Sequence, residues 1–489
     1  MKLSSQHSDK NYVAINTGNI AVSPRLLVVS LSLSMLLSAL GTSIANVGLP
    51  AIAQTFSATF QQVQWVVLTY LLAITTLVVS VGRLGDTTGR RRLLLFGIFL
   101  FTLASLLCAV APSLSLLLAA RAAQGMGAAI MMALTLAFVG TAVSPEKSGG
   151  AIGLLGSMSA IGTALGPSLG GVLVNDFGWR SIFLVNLPLG CLTYFLACRF
   201  LPIDRDASTI VRDRFDLAGT VLLILTLTAF ALAMTMGQSN FGLLNVTLLI
   251  AAAIGLLGFI LVQVQTESPL INLAILRNRK LCAGFVMNIL VTTVVMTTLV
   301  VGPFYLSGAL ALAAGQVGLV MSSGPIVAAL TGVPAGQLVD RVGAHRVRIV
   351  GLVTMALGSI IFALLPTRLG VPGYIAPLIL ITTGYALFQA ANNTAVMTNI
   401  PQDQRGLISG LLTLSRNLGL ITGASAMGTV FAFGSASLAT ANNILATPPA
   451  DVAAGMRLTF AVALALIVVA IIVACASQVK ACAACPTTR

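Results

Sequence analysis

The chain has 489 residues, of which 57% are hydrophobic and only 8% are charged, and its mean hydropathy is +1.01. Soluble domains carry about 25% charged residues, and a single hydrophobic core stops growing at about 250–300 residues, so this composition excludes a water-soluble fold. The net charge of +14 would suit nucleic acid. Basic residues of membrane proteins collect on cytoplasmic loops, however, so we expect membrane lipids and no nucleic acid as partners.

Fourteen apolar segments are long enough to cross a bilayer as helices, which takes about 20 residues each. The predicted spans are 26–48, 62–82, 93–111, 114–142, 150–174, 181–200, 216–236, 243–264, 282–306, 315–338, 347–365, 373–398, 406–433 and 457–476. The polar residues 1–25 do not read as a signal peptide, so we expect the first span to be retained. The sequence predicts an all-α polytopic membrane protein.

The basic residues indicate how these spans are oriented. With both termini cytoplasmic, 21 of the 26 lysines and arginines fall on the inside and 3 on the outside, while Arg121 and Arg416 lie within predicted spans. This asymmetry is a strong positive-inside signal. Removing one span from the count would reverse every later loop and destroy the asymmetry. The pattern predicts a multi-pass protein with both termini in the cytoplasm.

An internal repeat divides the chain. Residues 82–92 read GRLGDTTGRRR and residues 336–346 read GQLVDRVGAHR, which is an offset of 254 residues (336 minus 82) and eight predicted spans. An even number of spans places both copies on the same side, as in transporters built from parallel repeats.

The repeat predicts two six-helix bundles joined by two additional helices, and residues 265–280 look like an amphipathic surface segment. The predicted units are a cytoplasmic tail (1–25), a first bundle (26–200), a linker with two helices (201–280), a second bundle (281–476) and a cytoplasmic tail (477–489).

These motifs resemble the major facilitator superfamily and, within it, the fourteen-helix drug:proton antiporter group, over residues 20–476. The resemblance implies a 6+2+6 fold with two parallel-related halves, in the bacterial cytoplasmic (inner) membrane. It implies a secondary active exporter of drug-like molecules or metabolites that works by alternating access and exchanges protons. We therefore expect a monomer with no enzyme activity, no cofactor and no bound metal.

The first copy of the repeated loop carries the most specific resemblance. Gly82 and Gly89 permit a tight turn, and Asp86 is expected near the start of the third helix, where exposed N–H groups favour a carboxylate. Arg90 and Arg91 would give that carboxylate partners. The resemblance implies that this loop latches the two halves on the cytoplasmic side, with Asp340 as its weaker counterpart. A plain positive-inside loop with a helix cap is the alternative.

The fourth span contains an arginine in LAARAAQGMGAA, residues 118–129. Arg121 lies about seven residues into the span, roughly 10 Å deep, and an intramembrane charge is by default a functional hypothesis. The resemblance implies that Arg121, followed by Gln124, faces the central cavity and takes part in proton coupling or substrate contact. Snorkelling to the outer headgroups is the alternative.

The fifth span is rich in small residues and contains a Gly-Pro step. Small residues let helices approach closely in lipid, and a proline removes a backbone donor and bends the helix. The run resembles the antiporter motif that the family associates with exporters, which favours export over import; ordinary helix packing is the alternative. Its residues are Gly162, Gly166, Pro167, Gly170 and Gly171.

The end of the first span, TSIANVGLP at 42–50, resembles the helix-1 motif of the same group, but Gly41 stands where the group often has aspartate. None of the twelve acidic residues falls in the middle of a predicted span, although proton coupling needs a titratable group in the pathway. Asp86, Asp216 or the substrate itself would have to carry the proton. An exporter of neutral or anionic metabolites without a helix-1 carboxylate, or a transporter-fold sensor without flux, are therefore alternatives.

Polar side chains in apolar spans are candidates for the transport pathway. They are Ser38, Thr42, Ser43, Asn46, Gln64, Tyr70, Asn288, Gln389, Asn392, Asn393, Arg416 and Asn417. The alternative for each is an interhelical hydrogen bond worth about 0.6 kcal/mol. In the tail, Cys482 and Cys485 form a single C-x-x-C, which is a weak metal or redox signal.

Overall fold

A computed structural model describes residues 24–142, 145–202, 216–235, 242–266, 278–364, 367–397, 405–435 and 448–483. All regular secondary structure in these ranges is helical. The helices are α1 (Pro24–Phe56), α2 (Phe60–Thr88), α3 (Arg90–Val110), α4 (Leu114–Ala142), α5 (Pro145–Phe177), α6 (Ser181–Leu184), α7 (Asn186–Phe200), α8 (Leu217–Thr235), α9 (Leu243–Gln265), α10 (Arg279–Gly308), α11 (Ala314–Val342), α12 (Ala344–Leu364), α13 (Gly370–Met397), α14 (Arg405–Thr422), α15 (Gly428–Ser435) and α16 (Pro449–Ala483).

The predicted fold class is confirmed. Thirteen spans in the described ranges are long and apolar enough to cross a membrane, and the 33-residue α5 packs between α1 and α11 as the fourteenth. The sixth span is divided into α6 and α7 at Val185. Pro188 explains the division, because a proline cannot donate to the carbonyl four residues earlier. In the thirteenth span, a π-helical turn at Gly423–Met427 joins α14 to α15.

Several boundaries differ from the prediction. Helix α1 continues through Pro50 to Phe56, and α16 begins at Pro449 and runs to Ala483, so it includes Cys482. Cys485 and the predicted amphipathic stretch at 267–277 lie outside the described residues. A hydropathy pattern marks the apolar part of a helix, but the helix continues wherever the next residues can remain helical. The pattern therefore does not predict where a helix begins or ends.

The two halves use the same packing. In the first half α1 packs on α5, α2 on α4, and α3 on α4 and α7. In the second half the helices at matching positions form the same pairs, α10 with α14, α11 with α13, and α12 with α13 and α16. Across the interface α5 packs on α11, α2 on α14, and α1 on α10. The interface is therefore also arranged as a two-fold repeat.

The repeated loop forms the same turn in both halves. Gly89 (φ +98°) alone separates α2 from α3, and Gly343 (φ +95°) alone separates α11 from α12. Glycine adopts these positive φ values without the steric cost that a Cβ would add. Gly82 lies within α2, so its predicted turn role is wrong. Asp86 is in the last turn of α2 and not at the start of α3, because the α2 hydrogen bonds continue to Thr88.

Among the residues that the structure describes, the buried apolar core is continuous across both halves at one end of the molecule. There a single cluster joins Val47 and Val63 of the first half to Val301 and Phe431 of the second. We call this the aromatic end, after Phe60, Phe304 and Phe431. At the opposite end, which we call the glycine-turn end after Gly89 and Gly343, the described apolar residues form separate clusters in the two halves. The halves are thus joined at one end and divided at the other.

Candidate functional site

Three phenylalanines join the halves at the aromatic end. The Phe60 ring, at the first residue of α2, lies 4.6 Å from the Phe304 ring of α10 and 5.5 Å from the Phe431 ring of α15. Edge-to-face and tilted arrangements at these distances are favourable for aromatic pairs. This contact closes the space between the halves on that side.

One turn further along α2, Gln64 crosses the same interface. Its Nε2 donates to the carbonyl oxygen of Ala424 at 3.0 Å, in the π-helical turn. A side chain larger than hydrogen at Gly428 would overlap this amide. The π-turn exposes a carbonyl and the glycine leaves room for the donor, so together they form a socket for Gln64. π-Bulges of this kind are frequent at functional sites.

The small residues of α5 face two different helices. Gly162, Gly166 and Gly170 lie against α1, where a Cβ at Gly162 would come 3.1 Å from the Leu40 backbone nitrogen. On the other face, Gly171 touches the Gly318 backbone of α11, in the other half.

The carbonyl oxygen of Pro167 lies 2.9 Å from where a Cβ of Gly318 would be. The predicted motif thus includes both packing within the first half and closure against the second. Its implied link to export stays a prediction.

Arg121 is completely buried inside the first bundle. Its Nε donates to the Val66 carbonyl of α2 at 2.8 Å, and its Nη1 donates to the Gly41 carbonyl of α1 at 3.1 Å and to Gln124 Oε1 at 2.6 Å. The guanidinium carbon lies 4.1 Å from the centre of the Tyr70 ring. Arg121 therefore does not snorkel to the headgroups, and in this conformation it is enclosed by α1, α2 and α4. Its predicted role at the central cavity stays a prediction.

All three acceptors of Arg121 are neutral, and its Nη2 has no hydrogen-bond partner. At Gly41, where the related group often has aspartate, a Cβ would lie 2.7 Å from the Tyr70 hydroxyl and 3.3 Å from the Phe101 ring. Tyr70 donates to the Ser38 carbonyl at 2.7 Å and is fixed there. The tyrosine fills the space that a carboxylate on α1 would need, so the arginine charge has no acidic partner from that position.

A second polar group lies in the second half, towards the glycine-turn end. Asn288 Nδ2 of α10 donates to the Leu412 carbonyl at 3.1 Å and to Ser415 Oγ at 2.8 Å, and Asn392 Nδ2 of α13 donates to the Gly284 carbonyl at 3.2 Å. Both asparagines keep a buried Oδ1 without a partner. Buried polar atoms without a partner on α13 and α14 accompany them, namely Gln389 Oε1, Arg416 Nε and Asn417 Nδ2.

Unpaired buried polar atoms in a membrane bundle are costly, and their concentration on α10, α13 and α14 makes these helices the candidate ligand contact of the second half. Arg416 is half-buried there and Asn393 is half-buried beside Asn392. Asn46 is buried in the first half, where its Nδ2 donates to the Thr42 and Ser43 carbonyls of its own helix. The pathway role predicted for these residues stays a prediction.

The residues of the repeated loop lie at the glycine-turn end. Arg91 donates to the Cys198 carbonyl near the end of α7 at 2.6 Å, which is a favourable place for a cation. Arg90 is half-buried at the start of α3 and Asp340 is exposed in the last turn of α11. The side chain of Asp86 lies outside what the structure describes, so its latch role stays a prediction.

Asp216 caps the start of α8. Its Oδ1 accepts the Gly219 backbone N–H at 2.7 Å, and its Oδ2 accepts Gln263 Nε2 of α9 at 2.6 Å. Aspartate is a preferred N-cap residue, because its side chain accepts a hydrogen bond from a backbone N–H at the start of the helix. Both carboxylate oxygens are thus used to hold the inserted helices together.

Of the closed interface, sequence reasoning named Gly171 in the α5 motif, but it identified neither the phenylalanine contacts nor the partner of Gln64. Phe60 and Phe431 are single apolar residues in apolar spans, and the π-turn has no sequence signature. Gln64 gave the only available signal, as an amide within an apolar segment. Its partner could not be identified, because Ala424 accepts through its backbone.

Comparisons with known proteins agree with this architecture. A sequence profile described as Major Facilitator Superfamily matches residues 31–424. The riboflavin transporter RibZ of Clostridioides difficile is 31% identical over 410 residues, which cover 83% of this chain and 88% of RibZ. The multidrug resistance protein Stp of Mycobacterium tuberculosis is 32% identical over 418 residues, which cover 83% of this chain and 76% of Stp.

Solved structures show the same fold at low sequence identity. A bacterial homologue of the human lysosomal transporter Spinster, in an inward-facing and unoccupied conformation, has a TM-score of 0.64 and 15% identity, with 93% of this chain and 97% of that chain covered. A variant of the nucleoside transporter NupG has a TM-score of 0.62 and 13% identity, with coverage of 93% and 99%. The profile match, the relatives and the duplicated bundle together establish that this chain belongs to the major facilitator superfamily.

Proposed function

We propose that this protein is a secondary active exporter of small molecules that works by alternating access. The observation that carries the proposal is the apolar core, which is continuous at the aromatic end and divided at the glycine-turn end. Two halves with the same packing, whose described apolar residues join at the aromatic end, suit a carrier that rocks about a central site. With both termini in the cytoplasm, as the basic residues predict, this conformation loads its substrate from the cytoplasm.

Export is favoured over import by two arguments. The α5 run from Gly162 to Gly171 resembles the motif associated with exporters, and relatives such as Stp are named for multidrug resistance. The relative RibZ is named for riboflavin transport, which fits a neutral aromatic substrate as well.

The charge of the site favours neutral or anionic substrates. Arg121 has only neutral acceptors, and Arg416 has a buried Nε without a partner. A lipophilic cation would need a carboxylate to offset the loss of hydration. We therefore expect substrates that present hydrogen-bond acceptors or a negative charge.

Proton exchange is the proposed driving force. Asp216 has a structural role, because its oxygens accept hydrogen bonds from the start of α8 and from Gln263 of α9. Asp86, or an acidic group on the substrate, is left to carry the proton. An exporter that does not exchange protons is the alternative, and it is favoured by the glycine at position 41.

Everted membrane vesicles test this proposal. A pH gradient is formed across them, and riboflavin, dyes, biocides and organic acids are added one at a time, with vesicles from cells carrying the empty vector as the control. We expect at least one neutral or anionic compound to dissipate the gradient. Uptake of a compound without dissipation would support the uncoupled alternative. Absence of flux for every compound in proteoliposomes would contradict a carrier and favour a sensor.

A further inference from the structure

The end of α8 is joined to three different helices by its last three residues. Asn245 Nδ2 of α9 donates to the Ala233 carbonyl at 2.7 Å, Thr429 Oγ1 of α15 donates to the Met234 carbonyl, and Trp65 Nε1 of α2 donates to Thr235 Oγ1 at 3.1 Å. Helix α2 belongs to the first half and α15 to the second. The inserted helix α8 therefore contacts both halves at a single point.

The chemistry of a helix end explains why this point is available. The last carbonyls of a helix have no partner within it, and a backbone group without a partner inside a membrane costs several kcal/mol. Asn245 and Thr429 supply donors to two of these carbonyls. Thr235 and Asn245 are 5% and 4% exposed, so the junction is formed away from water.

This junction lies directly beside the closed interface. Trp65 follows Gln64, which donates to the Ala424 carbonyl, and Thr429 follows Gly428, which leaves room for that same amide. Neighbouring residues of α2 and α15 thus contact each other and the end of α8. A movement that separates α2 from α15 must break the bond from Trp65 or the bond from Thr429, because α8 cannot follow both.

The two inserted helices are also bound to each other at several levels. At its far end Gln263 of α9 is bound to Asp216 of α8 at 2.6 Å. In the middle, a Cβ at Gly255 would contact Thr226. Helices α8 and α9 are therefore held together along their length, so we expect a displacement of Thr235 to move both helices.

We infer that the inserted helices α8 and α9 act as a clamp that holds the aromatic end closed. Thr235 of α8 binds the first half through Trp65, and the Met234 carbonyl of α8 binds the second half through Thr429. The inference rests on the proposed alternating access, because a clamp has a role only if this end opens. The two additional helices thereby join the two halves as a third component of the contact that closes the aromatic end.

Cross-linking across the aromatic end tests the clamp. Asn175 of α5 and Gly315 of α11 lie across the interface, where a Cβ at Gly315 would be 3.2 Å from the Asn175 Cβ. Disulfides join Cβ atoms about 3.5–4.5 Å apart, which is a few tenths of an ångström more than this distance, so the pair N175C and G315C can bond after a small adjustment of α5 against α11 and reports closure. It is introduced into a chain whose seven native cysteines are replaced.

Thr429→Val removes the bond to the Met234 carbonyl, and Thr235→Val removes the acceptor of Trp65 together with a bond to the Ala231 carbonyl within α8, each with little change in volume. We expect each to slow cross-linking by roughly 2- to 10-fold, as expected for the loss of one net hydrogen bond. Thr429→Ser keeps the hydroxyl group and should restore the rate. The matched controls are Thr422→Val, whose hydroxyl donates only within α14, and Thr247→Val, whose exposed hydroxyl donates only within α9; both should cross-link at the unmodified rate.

Two results would overturn the clamp. One is an unchanged cross-linking rate in both Thr429→Val and Thr235→Val, and the other is an equal slowing in the control variants. The assay needs no substrate, so its outcome is separate from that of the transport test. A protein without flux could still show the clamp, and an active exporter could still lack it.

Discussion

At the residue scale, Arg121 shows how a charge can be held inside a membrane bundle without an acidic partner. Two backbone carbonyls on different helices and the Gln124 side-chain oxygen accept its hydrogen bonds, and the Tyr70 ring lies against the guanidinium. Hydrogen bonds to a charged group are stronger than those between neutral groups. Gln124 is in turn fixed by its 2.7 Å bond to Ser105 on α3. The arginine thus joins α1, α2 and α4, and through Gln124 also α3.

Replacing Arg121 by alanine is expected to abolish transport and to lower the free energy of unfolding by on the order of 3 kcal/mol. The variant removes three hydrogen bonds and leaves a cavity beside Tyr70. Arg121→Lys should also be defective, because a lysine lacks the planar fork that reaches two helices at once. Transport and thermal unfolding are measured on the same preparations.

Arg368→Ala, at an exposed turn, is the control and should match the unmodified protein in both measurements. Full transport by Arg121→Ala would show that the buried arginine has no part in the transport cycle. Normal stability combined with lost transport would instead indicate a role in the chemistry of transport and not in folding.

At the scale of elements, the duplicated glycine turn predicts equal effects in the two halves. Gly89 and Gly343 both have φ near +95° to +98°, a conformation that costs other residues about 1–3 kcal/mol. Gly89→Ala and Gly343→Ala should each destabilise the protein by that amount. Gly336→Ala is the control, because this glycine is helical and a Cβ there meets nothing within 4 Å. Equal melting temperatures for all three variants would argue against a strained turn.

The sequence predicted the elements that depend on local pattern. Span number, the repeat and the turn at Gly89 follow from hydropathy and from glycine chemistry. The break at Val185 could have been read from Pro188. The place of Asp86 was wrong because helix hydrogen bonds continue past the motif to Thr88.

Contacts between residues that are far apart in the sequence had no local pattern from which they could be predicted. Tyr70 occupying the space beside Gly41, and the π-turn that receives Gln64, depend on how distant helices meet. The end of α8 is bound through the backbone carbonyls of Ala233 and Met234, which look alike at every position of a sequence. The contacts that close the aromatic end were therefore not predictable from a single sequence.

At the scale of the whole molecule, the arrangement of the core fits one state of the proposed alternating-access cycle. The continuous cluster at the aromatic end buries apolar side chains from both halves, and the described apolar residues at the glycine-turn end belong to separate clusters. In the proposed cycle, the contact at the aromatic end must open while a contact at the glycine-turn end forms. The α5–α11 contact at Gly171 and Gly318 is a close backbone approach across the interface, with no room for a Cβ at either glycine, so it is a sensitive place to block closure.

Gly171→Leu is expected to hold the aromatic end open, because a branched side chain cannot fit against the Gly318 backbone unless α5 and α11 separate. Transport should be lost, and cross-linking of N175C with G315C should fall by at least about tenfold, as for a population driven to the other state. Val172→Leu, at the next residue of α5 and 46% exposed, adds a similar side chain away from the interface and should leave both measurements unchanged. Full cross-linking in Gly171→Leu would mean that the aromatic end closes without close α5–α11 contact. The two-state description of the core would then have to be abandoned.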